Sequence, residues 1–499
     1  MKRAEDMQRT PSTIDSLLTA SGVELARRIR TAEVTSRAVV DAHIAQIVKV
    51  NSTINAVVAE RYEQARAEAD RADERVQAAR NNPIALAALP PYLGVPCSIK
   101  ECFALTGMPQ SSGLVARKDV IASSDATVVA RLRNAGAIPL GVTNVSELCM
   151  WYETSNRVYG RTNNPYDASR IVGGSSGGEG AIIGAGGSPF GIGSDLGGSI
   201  RMPAFFNGVF GHKPTGGLIP GSGQYPMANG EGTRILATGP LCRRAEDLWP
   251  LIQVMAGPDG IDPGARAMAL GDPSTVRLDQ LTIVDVEDDQ LHPVDPELKE
   301  AQARLAAALV RAGARRRRMR WAALRRSFDI WSSTLAVADG QSFGMLLGNG
   351  RRSRSVLELL RWAVRRSPHT LPAIGLALLE RINDWTPGRV ARYVKLGQTL
   401  RAEMVDAIGD GIMLYPSYVS PAPRHYAPLF RPFSFVYTAI VNVMQLPATQ
   451  VPLGLGRRGL PLGVQVVAGP ARDHVSVAVA QFVERELGGW IPPPGRVVR

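Results

Sequence analysis

The spacing of apolar positions divides the chain into helical and strand-like stretches. From residue 13 to about residue 80, apolar residues recur every three or four positions, which predicts amphipathic helices. From about Pro90, short apolar runs such as YLGVPCSIK and GAIPLGVTN alternate with glycine-rich turns, which predicts a sheet with helices packed on it. Helical periodicity returns between residues 298 and 410. Strand-like runs then resume before a last helix at 473–487.

These stretches predict one α/β domain, since a chain of 499 residues can bury a large core as one continuous unit. We expect an N-terminal helical layer at residues 1–80, a catalytic core at 81–297, a helical insertion at 298–410 and a return to the core at 411–499. No internal repeat is evident.

Composition restricts the class of protein. Apolar residues make up 45% of the chain and charged residues 20%, as in soluble globular proteins. The four cysteines form no CxxC pair or metal-type cluster, so we expect a reducing, cytoplasmic environment and no metal site. The first thirty residues lack the apolar stretch of a secretory signal, and apolar runs such as AIGLALL are too short to span a membrane. The net charge of +12 favours anionic partners.

A glycine-rich stretch, GGSSGGEG at 173–180, contains the first candidate nucleophile. It matches the G-x-S-x-G pattern with Ser175 at the nucleophile position. In this interpretation His474, which follows Asp473, serves as the base of an esterase of the α/β-hydrolase type. Ser175 is followed by Ser176 and then by more glycines, however, rather than by the clear helix that this motif requires.

A second serine lies in the stretch SDLGGSIR at 194–201. Glycines permit a tight turn in which successive backbone N–H groups converge on one point and form an oxyanion hole around the Ser199 hydroxyl. Asp195 and Arg201 would hold this loop through charge-assisted hydrogen bonds. Lys100, at the end of an apolar run, is then the remaining candidate base. The N–H groups expected to line the oxyanion hole are those of Leu196, Gly197, Gly198 and Ser199.

Three segments carry a resemblance to a known family. They are GVPCSIKECFALTGMPQSSGL at 94–114, the block at 141–181 that includes GGSSGGEGA, and GIGSDLGGSIRMPAFFNGVFGHKPT at 191–215. A strand-end lysine, a double serine and a GGS in this order resemble the amidase signature family. The tail GLPLGVQVVAGPARDHVSVAVAQFVERELGGW resembles its fatty-acid amide hydrolase branch. The resemblance covers the chain from about residue 20, and it implies a large mixed central β-sheet covered by helices on both faces.

The resemblance also implies a role for each candidate residue. Ser199 would be the nucleophile that forms the acyl-enzyme, Ser175 a bridging serine preceded by a cis peptide bond, and Lys100 the base. The position of Cys149 lies beside the acyl chain in the fatty-acid amide hydrolases, although a cysteine there is a departure. The neighbours of Cys149 that would extend this patch and suit an apolar acyl group are Leu148, Met150, Trp151 and Tyr152. The implied substrate is a small carboxylic amide with a fatty or other hydrophobic acyl group. No cofactor or metal is implied.

Other interpretations concern the partners. A protein that amidates mischarged tRNA, as part of an amidotransferase, belongs to the same family and would suit the basic charge. The basic residues lie mostly in the helical insertion and lack interleaved aromatic residues, so we expect no nucleic-acid partner. The segment 351–382 joins six arginines to LPAIGLALL, which suits peripheral docking on an anionic membrane. The sequence leaves the oligomeric state open, with a homodimer as one option.

Overall fold

One mixed β-sheet of eleven strands forms the centre of the fold. The computed structural model describes residues 13–338, 342–384 and 387–494, so residues 1–12 of the predicted N-terminal layer lie outside the described residues. A separate two-stranded ribbon consists of β4 and β5. The strands are β1 Val57–Glu60, β2 Pro96–Lys100, β3 Ile138–Thr143, β4 Ser155–Asn156, β5 Gly160–Arg161, β6 Phe190–Asp195, β7 Phe210–Lys213, β8 Ala237–Cys242, β9 Thr282–Asp285, β10 Arg315–Arg318, β11 Ile412–Tyr415, β12 Ala448–Leu455 and β13 Pro461–Ala468.

The strands of the large sheet lie in the order β1-β3-β2-β6-β8-β7-β12-β13-β11-β9-β10. The neighbours β3, β2 and β6 are parallel, as are β11, β9 and β10, and the other pairs are antiparallel. Every residue of β2, β3 and β6 is buried, which requires cover on both faces of the sheet and suits their apolar and glycine-rich composition. The predicted α/β class with a large mixed sheet is confirmed.

Helices surround this sheet. Several begin at capping residues: the Ser21 hydroxyl accepts a hydrogen bond from the Glu24 N–H, and Asp295 caps a helix whose first residue is Pro296. In the part of the chain that the structure describes, no helix has both the length and the apolar character that a membrane crossing requires. The helices are α1 Thr13–Thr19, α2 Gly22–Arg30, α3 Ser36–Ile54, α4 Tyr62–Ala79, α5 Pro83–Ala87, α6 Thr127–Asn134, α7 Gly177–Gly184, α8 Arg201–Phe206, α9 Gly232–Ile235, α10 Leu248–Met255, α11 Pro296–Arg311, α12 Ser327–Ala338, α13 Phe343–Leu347, α14 Ser355–Ala363, α15 Leu371–Asp384, α16 Pro387–Ile408, α17 Ala427–Phe430, α18 Val436–Val443 and α19 Asp473–Leu487.

Two strands lie where the sequence predicts helices. β1 falls between α3 and α4 in the N-terminal layer and pairs antiparallel with β3. β10 consists of four arginines inside the predicted helical insertion and pairs parallel with β9 at the edge of the sheet. Charged residues suit an exposed edge because they discourage pairing with another chain. Arg316 of β10 also forms an ion pair with Asp285 of β9, which helps to fix this strand.

The parallel strands β2, β3 and β6 place three polar side chains at one edge of the sheet. They end at Lys100, Thr143 and Asp195 respectively. The carboxyl ends of neighbouring parallel strands meet at the same edge, which is where α/β proteins commonly bind ligands. Helix α7, which starts two residues after Ser175, packs against all three strands. The fold therefore brings together the three sequence segments that contain the candidate residues.

Candidate active site

Lys100 lies at the centre of a buried cluster of hydroxyl groups. Its side chain is fully buried at the end of β2. The Nζ atom donates to Ser175 Oγ at 2.8 Å, to Ser194 Oγ at 2.9 Å and to the Ser194 carbonyl at 3.4 Å. All three acceptors are neutral oxygens. The structure thus brings Lys100 and Ser175 into direct contact, although they are 75 positions apart in the sequence.

Ser175 and Ser176 connect this lysine to the loop that follows β6. The peptide bond between Gly174 and Ser175 is cis, and Ser175 is buried. The Ser176 N–H donates to the Ser199 carbonyl at 3.2 Å, so the backbone of Ser199 lies against the segment that carries Ser175. The Ser176 hydroxyl donates to the Ser194 carbonyl at 3.4 Å, which ties the same turn to the end of β6.

The loop after β6 is held by Asp195 and Arg201, as the sequence predicts. Both side chains are fully buried, and the guanidinium donates to each carboxylate oxygen at 3.0 Å. Asp195 also accepts from the Gly198 N–H at 2.6 Å and from the Ile200 N–H at 3.0 Å. Burial alone would raise the pKa of Asp195, but the charge and hydrogen bonds of Arg201 hold it well below its usual range. An ionised Asp195 therefore fixes the turn around Ser199.

One predicted oxyanion donor has to be corrected. The Gly198 N–H already donates to Asp195, so it is not free to bind an oxyanion. Gly198 has φ of +119°, and a Cβ at this position would overlap the Thr438 side chain, so the turn depends on glycine here. The remaining donors of the predicted set are the N–H groups of Leu196, Gly197 and Ser199.

Ser199 opens onto an apolar pocket beside the lysine cluster. Cys149, Met150, Trp151 and Tyr152 form one wall, as the sequence predicts for this patch, whereas Leu148 packs in a separate apolar cluster. Three further lining residues come from distant parts of the chain and were not identified from the sequence. They are Trp331 of α12, Leu376 of α15 and Phe435. The remaining lining residues are Gly174, Leu196, Gly197 and Met202.

Trp331 connects the helical insertion to the loop after β6. Its indole Nε1 donates to the Leu196 carbonyl at 3.1 Å. Its ring also packs edge-on against Phe435, with centroids 5.0 Å apart. The pocket wall and the backbone next to Ser199 are thus held by one side chain. No local motif around Trp331 points to this role.

Cys149 lies between the pocket and the lysine cluster. It is partly exposed, and both Leu148 and Cys149 have φ above +50°, a backbone conformation that is uncommon for residues other than glycine. A hydrogen bond from the Cys102 thiol, together with the positive charge of Lys100 and the Ser175 hydroxyl, lowers the pKa of the Cys149 thiol. Cys149 therefore lines the pocket and also lies within electrostatic range of Lys100.

Two buried glutamates flank the cluster, and the sequence did not single out either as a site residue. Glu179 of α7 accepts from Ser98 Oγ at 2.6 Å and from Thr143 Oγ1 at 2.7 Å. Glu101, which follows Lys100, accepts from the loop at 111–112 and from Tyr159. Burial raises the pKa of each carboxyl to about 7, although the hydrogen bonds oppose this shift.

The histidine required by the esterase interpretation lies elsewhere. His474 sits on α19 beside Trp249 and Gly271, whereas the hydroxyl of Ser175 contacts Lys100. Asp473 binds His212 at 3.0 Å and also the Thr215 hydroxyl and N–H. The structure thus contradicts a Ser175–His474 pair, because Asp473 and His474 belong to the packing of α19.

The chain is similar to known proteins in both sequence and fold. The Amidase family profile matches residues 38–476. Fatty-acid amide hydrolase 2 of Homo sapiens is 46% identical over 97% of this chain and 92% of its own length. A glutamyl-tRNA(Gln) amidotransferase subunit of Syntrophus aciditrophicus is 28% identical over 93% of this chain and 96% of its own. A solved structure of 6-aminohexanoate cyclic dimer hydrolase with its substrate aligns with a TM-score of 0.79 at 25% identity, covering 96% of this chain and all of that one. The chain therefore belongs to the amidase family and is an amide hydrolase that acts on a carbon–nitrogen bond.

Proposed function

We propose that this enzyme hydrolyses amides of hydrophobic carboxylic acids through an acyl-enzyme on Ser199, with Ser175 and Lys100 as the proton-transfer groups. The observation that carries the proposal is the 2.8 Å contact between Lys100 Nζ and Ser175 Oγ, buried beside a pocket that Ser199 lines. Acyl transfer requires a nucleophile, a base that is linked to it here by a hydroxyl group, and oriented N–H donors for the oxyanion.

Each group has a defined step in this proposal. The Ser199 hydroxyl attacks the amide carbonyl while its proton passes to Ser175, which gives its own proton to Lys100. The N–H groups of Leu196, Gly197 and Ser199 are the donors that stabilise the developing oxyanion. Ser175 then returns a proton to the departing amine, and water releases the acid from Ser199 by the same route. Protonation of the amine is needed because an unprotonated amine is a poor leaving group.

The pocket supports a hydrophobic acyl group. Its lining includes the large apolar side chains of Met150, Trp151, Met202, Trp331 and Phe435. Burying apolar substrate surface contributes about 25 cal/mol per Å² of binding free energy. The 46% identity to fatty-acid amide hydrolase 2 supports the same class of acyl group.

Covalent labelling with a fluorophosphonate tests the chemistry. We expect one adduct, on Ser199, and loss of labelling in Ser199→Ala. Hydrolysis of acyl anilides of increasing chain length then tests the acyl group, and kcat/KM should rise with chain length. An adduct on Ser175 would contradict the assigned nucleophile. A fall in kcat/KM with chain length would remove the hydrophobic acyl assignment and leave the amidase chemistry intact.

Amidation of mischarged tRNA is the alternative function. It is supported by the glutamyl-tRNA(Gln) amidotransferase relatives and by the net charge of +12. The identity to the relative from Syntrophus aciditrophicus is 28%, compared with 46% to fatty-acid amide hydrolase 2, so hydrolysis is better supported. A requirement for ATP and for a second protein in the turnover of any amide would favour the alternative.

The apolar stretch LPAIGLALL, which the sequence joins to the arginines of 351–382, is largely buried, with Ala373, Ile374 and Ala377 in the interior, so it does not form the predicted docking surface. We propose instead that the segment 351–366, which includes α14, docks on an anionic membrane. Its exposed arginines flank a row of exposed apolar side chains, a combination that suits the interface between lipid head groups and acyl chains. Flotation with vesicles that contain phosphatidylserine should recover the protein, and Leu360→Ser with Val364→Ser should reduce the recovery. Equal recovery with neutral vesicles, or none at low salt, would contradict docking. The exposed apolar residues are Val356, Leu357, Leu359, Leu360 and Val364, and the arginines are Arg351, Arg352, Arg354, Arg361, Arg365 and Arg366.

A further inference from the structure

We propose that Glu179 is a positioning residue that acts through Lys100: its buried carboxylate stabilises the ammonium ion that forms when Lys100 takes the proton from Ser175. The inference rests on the proposed function, because it concerns the protonated state of the proposed base. Glu179 does not line the pocket, and it makes no hydrogen bond to either reacting serine.

The geometry places this carboxyl on the Lys100 side of the sheet. Glu179 binds the hydroxyl of Ser98, which is two residues before Lys100 on β2. Side chains two residues apart on a strand point to the same face, so Glu179 and Lys100 share that face. The other carboxylate oxygen binds Thr143 at the end of β3.

The sheet leaves space for the carboxyl group. Gly191 of β6 pairs with Ser98, and a Cβ at position 191 would overlap Glu179 Oε2. A residue with a side chain at 191 would therefore push the carboxyl out of this site. Helix α7 starts immediately after the turn that presents Ser175 to Lys100, so one short segment delivers both the hydroxyl and the carboxyl. The position of the Glu179 carboxyl is thus determined by strands β2, β3 and β6 together with helix α7.

The charges around Lys100 make Glu179 its main counter-charge. Glu179 is fully buried, and both of its hydrogen bonds come from neutral hydroxyls, so no cation among the described residues neutralises it by direct contact. Asp195, at the end of β6, is already neutralised by Arg201. Glu101 is bound by the loop at 111–112 and by Tyr159 instead. The other titratable groups that face this pair are thiols: Cys102 and Cys149 near Lys100, and Cys97 near Glu179.

The reaction creates the need for such a counter-charge. When the proton of Ser199 reaches Lys100 by way of Ser175, a positive charge forms among neutral oxygen acceptors. The Glu179 carboxylate, bound to Ser98 two residues before Lys100 on the same strand, stabilises that charge and makes Lys100 a stronger base. Removing the carboxylate should therefore weaken Lys100 as a base and move the acid limb of the pH–rate profile to lower pH.

The test is the pH dependence of Glu179→Gln, which keeps the size and shape of the side chain. The probes are a long-chain acyl p-nitroanilide, for kcat/KM, and a fluorophosphonate, for the rate of labelling at Ser199. We expect the midpoint of the acid limb to move to lower pH in both assays, because the substitution removes the negative charge that favours the ammonium form of Lys100. The plateau at high pH should fall about tenfold.

Glu101→Gln is the matched control. It removes a buried carboxyl that is adjacent to Lys100 in the sequence but is hydrogen-bonded to the loop at 111–112 and to Tyr159 instead. Its midpoint should stay at the wild-type pH. Thr143→Val keeps the carboxyl but removes one of its donors, so it should move the midpoint in the same direction as Glu179→Gln by a smaller amount, which provides a test if Glu179→Gln does not fold.

The outcomes separate the two proposals. A wild-type protein that neither hydrolyses the anilide nor reacts at Ser199 would contradict the proposed function. If the wild-type enzyme hydrolyses the anilide and is labelled at Ser199, but the midpoint of Glu179→Gln is unshifted, only the positioning role of Glu179 is overturned. Glu179 would then be a packing residue.

Discussion

Replacing Arg201 by methionine removes the positive charge from the buried pair that holds the loop around Ser199. Methionine keeps much of the side-chain volume but donates no hydrogen bonds. The substitution leaves the buried Asp195 without its counter-charge, since both side chains of the pair have no exposed surface. It also removes hydrogen bonds to the Gln465 side chain and to the Thr438 carbonyl. Breaking a buried ion pair from one side costs about 3–5 kcal/mol of folding free energy.

This free energy predicts a measurable change in melting temperature. With about 2.1 cal/mol/K of unfolding entropy per residue, a chain of 499 residues unfolds with about 1 kcal/mol/K. Arg201→Met should therefore melt about 3–5 °C below the wild type, measured by circular dichroism at pH 7. The rate of fluorophosphonate labelling at 25 °C should fall as well, because the carboxylate that positions the Gly198 and Ile200 N–H groups loses its partner.

Arg27→Met is the matched control, because Arg27 forms an ion pair with Glu24 while half of its side chain is exposed. Exposed pairs contribute little, so its melting temperature should change by less than about 1 °C. If Arg201→Met melted within 1 °C of the wild type and labelled at the wild-type rate, the assignment of Asp195 and Arg201 as the support of this loop would be refuted.

Three further outcomes follow from the structure. Lys100→Ala should lower kcat/KM by about 10³-fold while the melting curve stays cooperative, and activity near the wild-type level would exclude Lys100 as the base. Burial raises the pKa of Asp247 from 3.8 to about 7, so the unfolded carboxyl ionises first and the free energy of unfolding should fall as pH rises from about 4 to 7, by at most about 4 kcal/mol. Urea titrations across that range should show a smaller fall in Asp247→Asn, and an equal fall would assign the effect to other groups. Leu376→Ala should reduce kcat/KM about tenfold for long-chain anilides and leave acetanilide unchanged, whereas an equal loss for both would mean that Leu376 does not contact the acyl chain.

The sequence predicts the central part of the site because its elements are local. The run YLGVPCSIK predicts a buried strand, and its end places Lys100 at the edge of the sheet. The glycines and serines at 173–180 and 194–201 predict tight turns. Asp195 and Arg201 are close enough in the sequence for their ion pair to be predicted from the sequence alone. Each of these predictions needs only the backbone geometry of a few consecutive residues.

The rest of the site depends on contacts between distant segments. Trp331 and Leu376 lie in amphipathic helices whose periodicity shows that one face is buried, but not which surface covers it. Glu179 looks like an ordinary helical glutamate until strands β2 and β3 supply its two hydroxyl donors. β10 has no alternation of apolar and polar residues, and only its pairing with β9 makes it a strand. The prediction that the Gly198 N–H lines the oxyanion hole is wrong, because the sequence indicates that the N–H groups of this turn converge but not which acceptor each of them binds.

The indole of Trp331 has a consequence for how this enzyme can diversify. The lysine, the two serines and their hydrogen bonds come from the first half of the chain, whereas α12 and α15 contribute only walls of the pocket. Selection for a new acyl group can therefore act on the helical insertion without disturbing proton transfer. The indole N–H is the exception, because it holds the carbonyl of Leu196 next to the catalytic turn. An insertion grafted from a relative should be exchangeable if it brings a hydrogen-bond donor to that position, and it should impair catalysis if it does not.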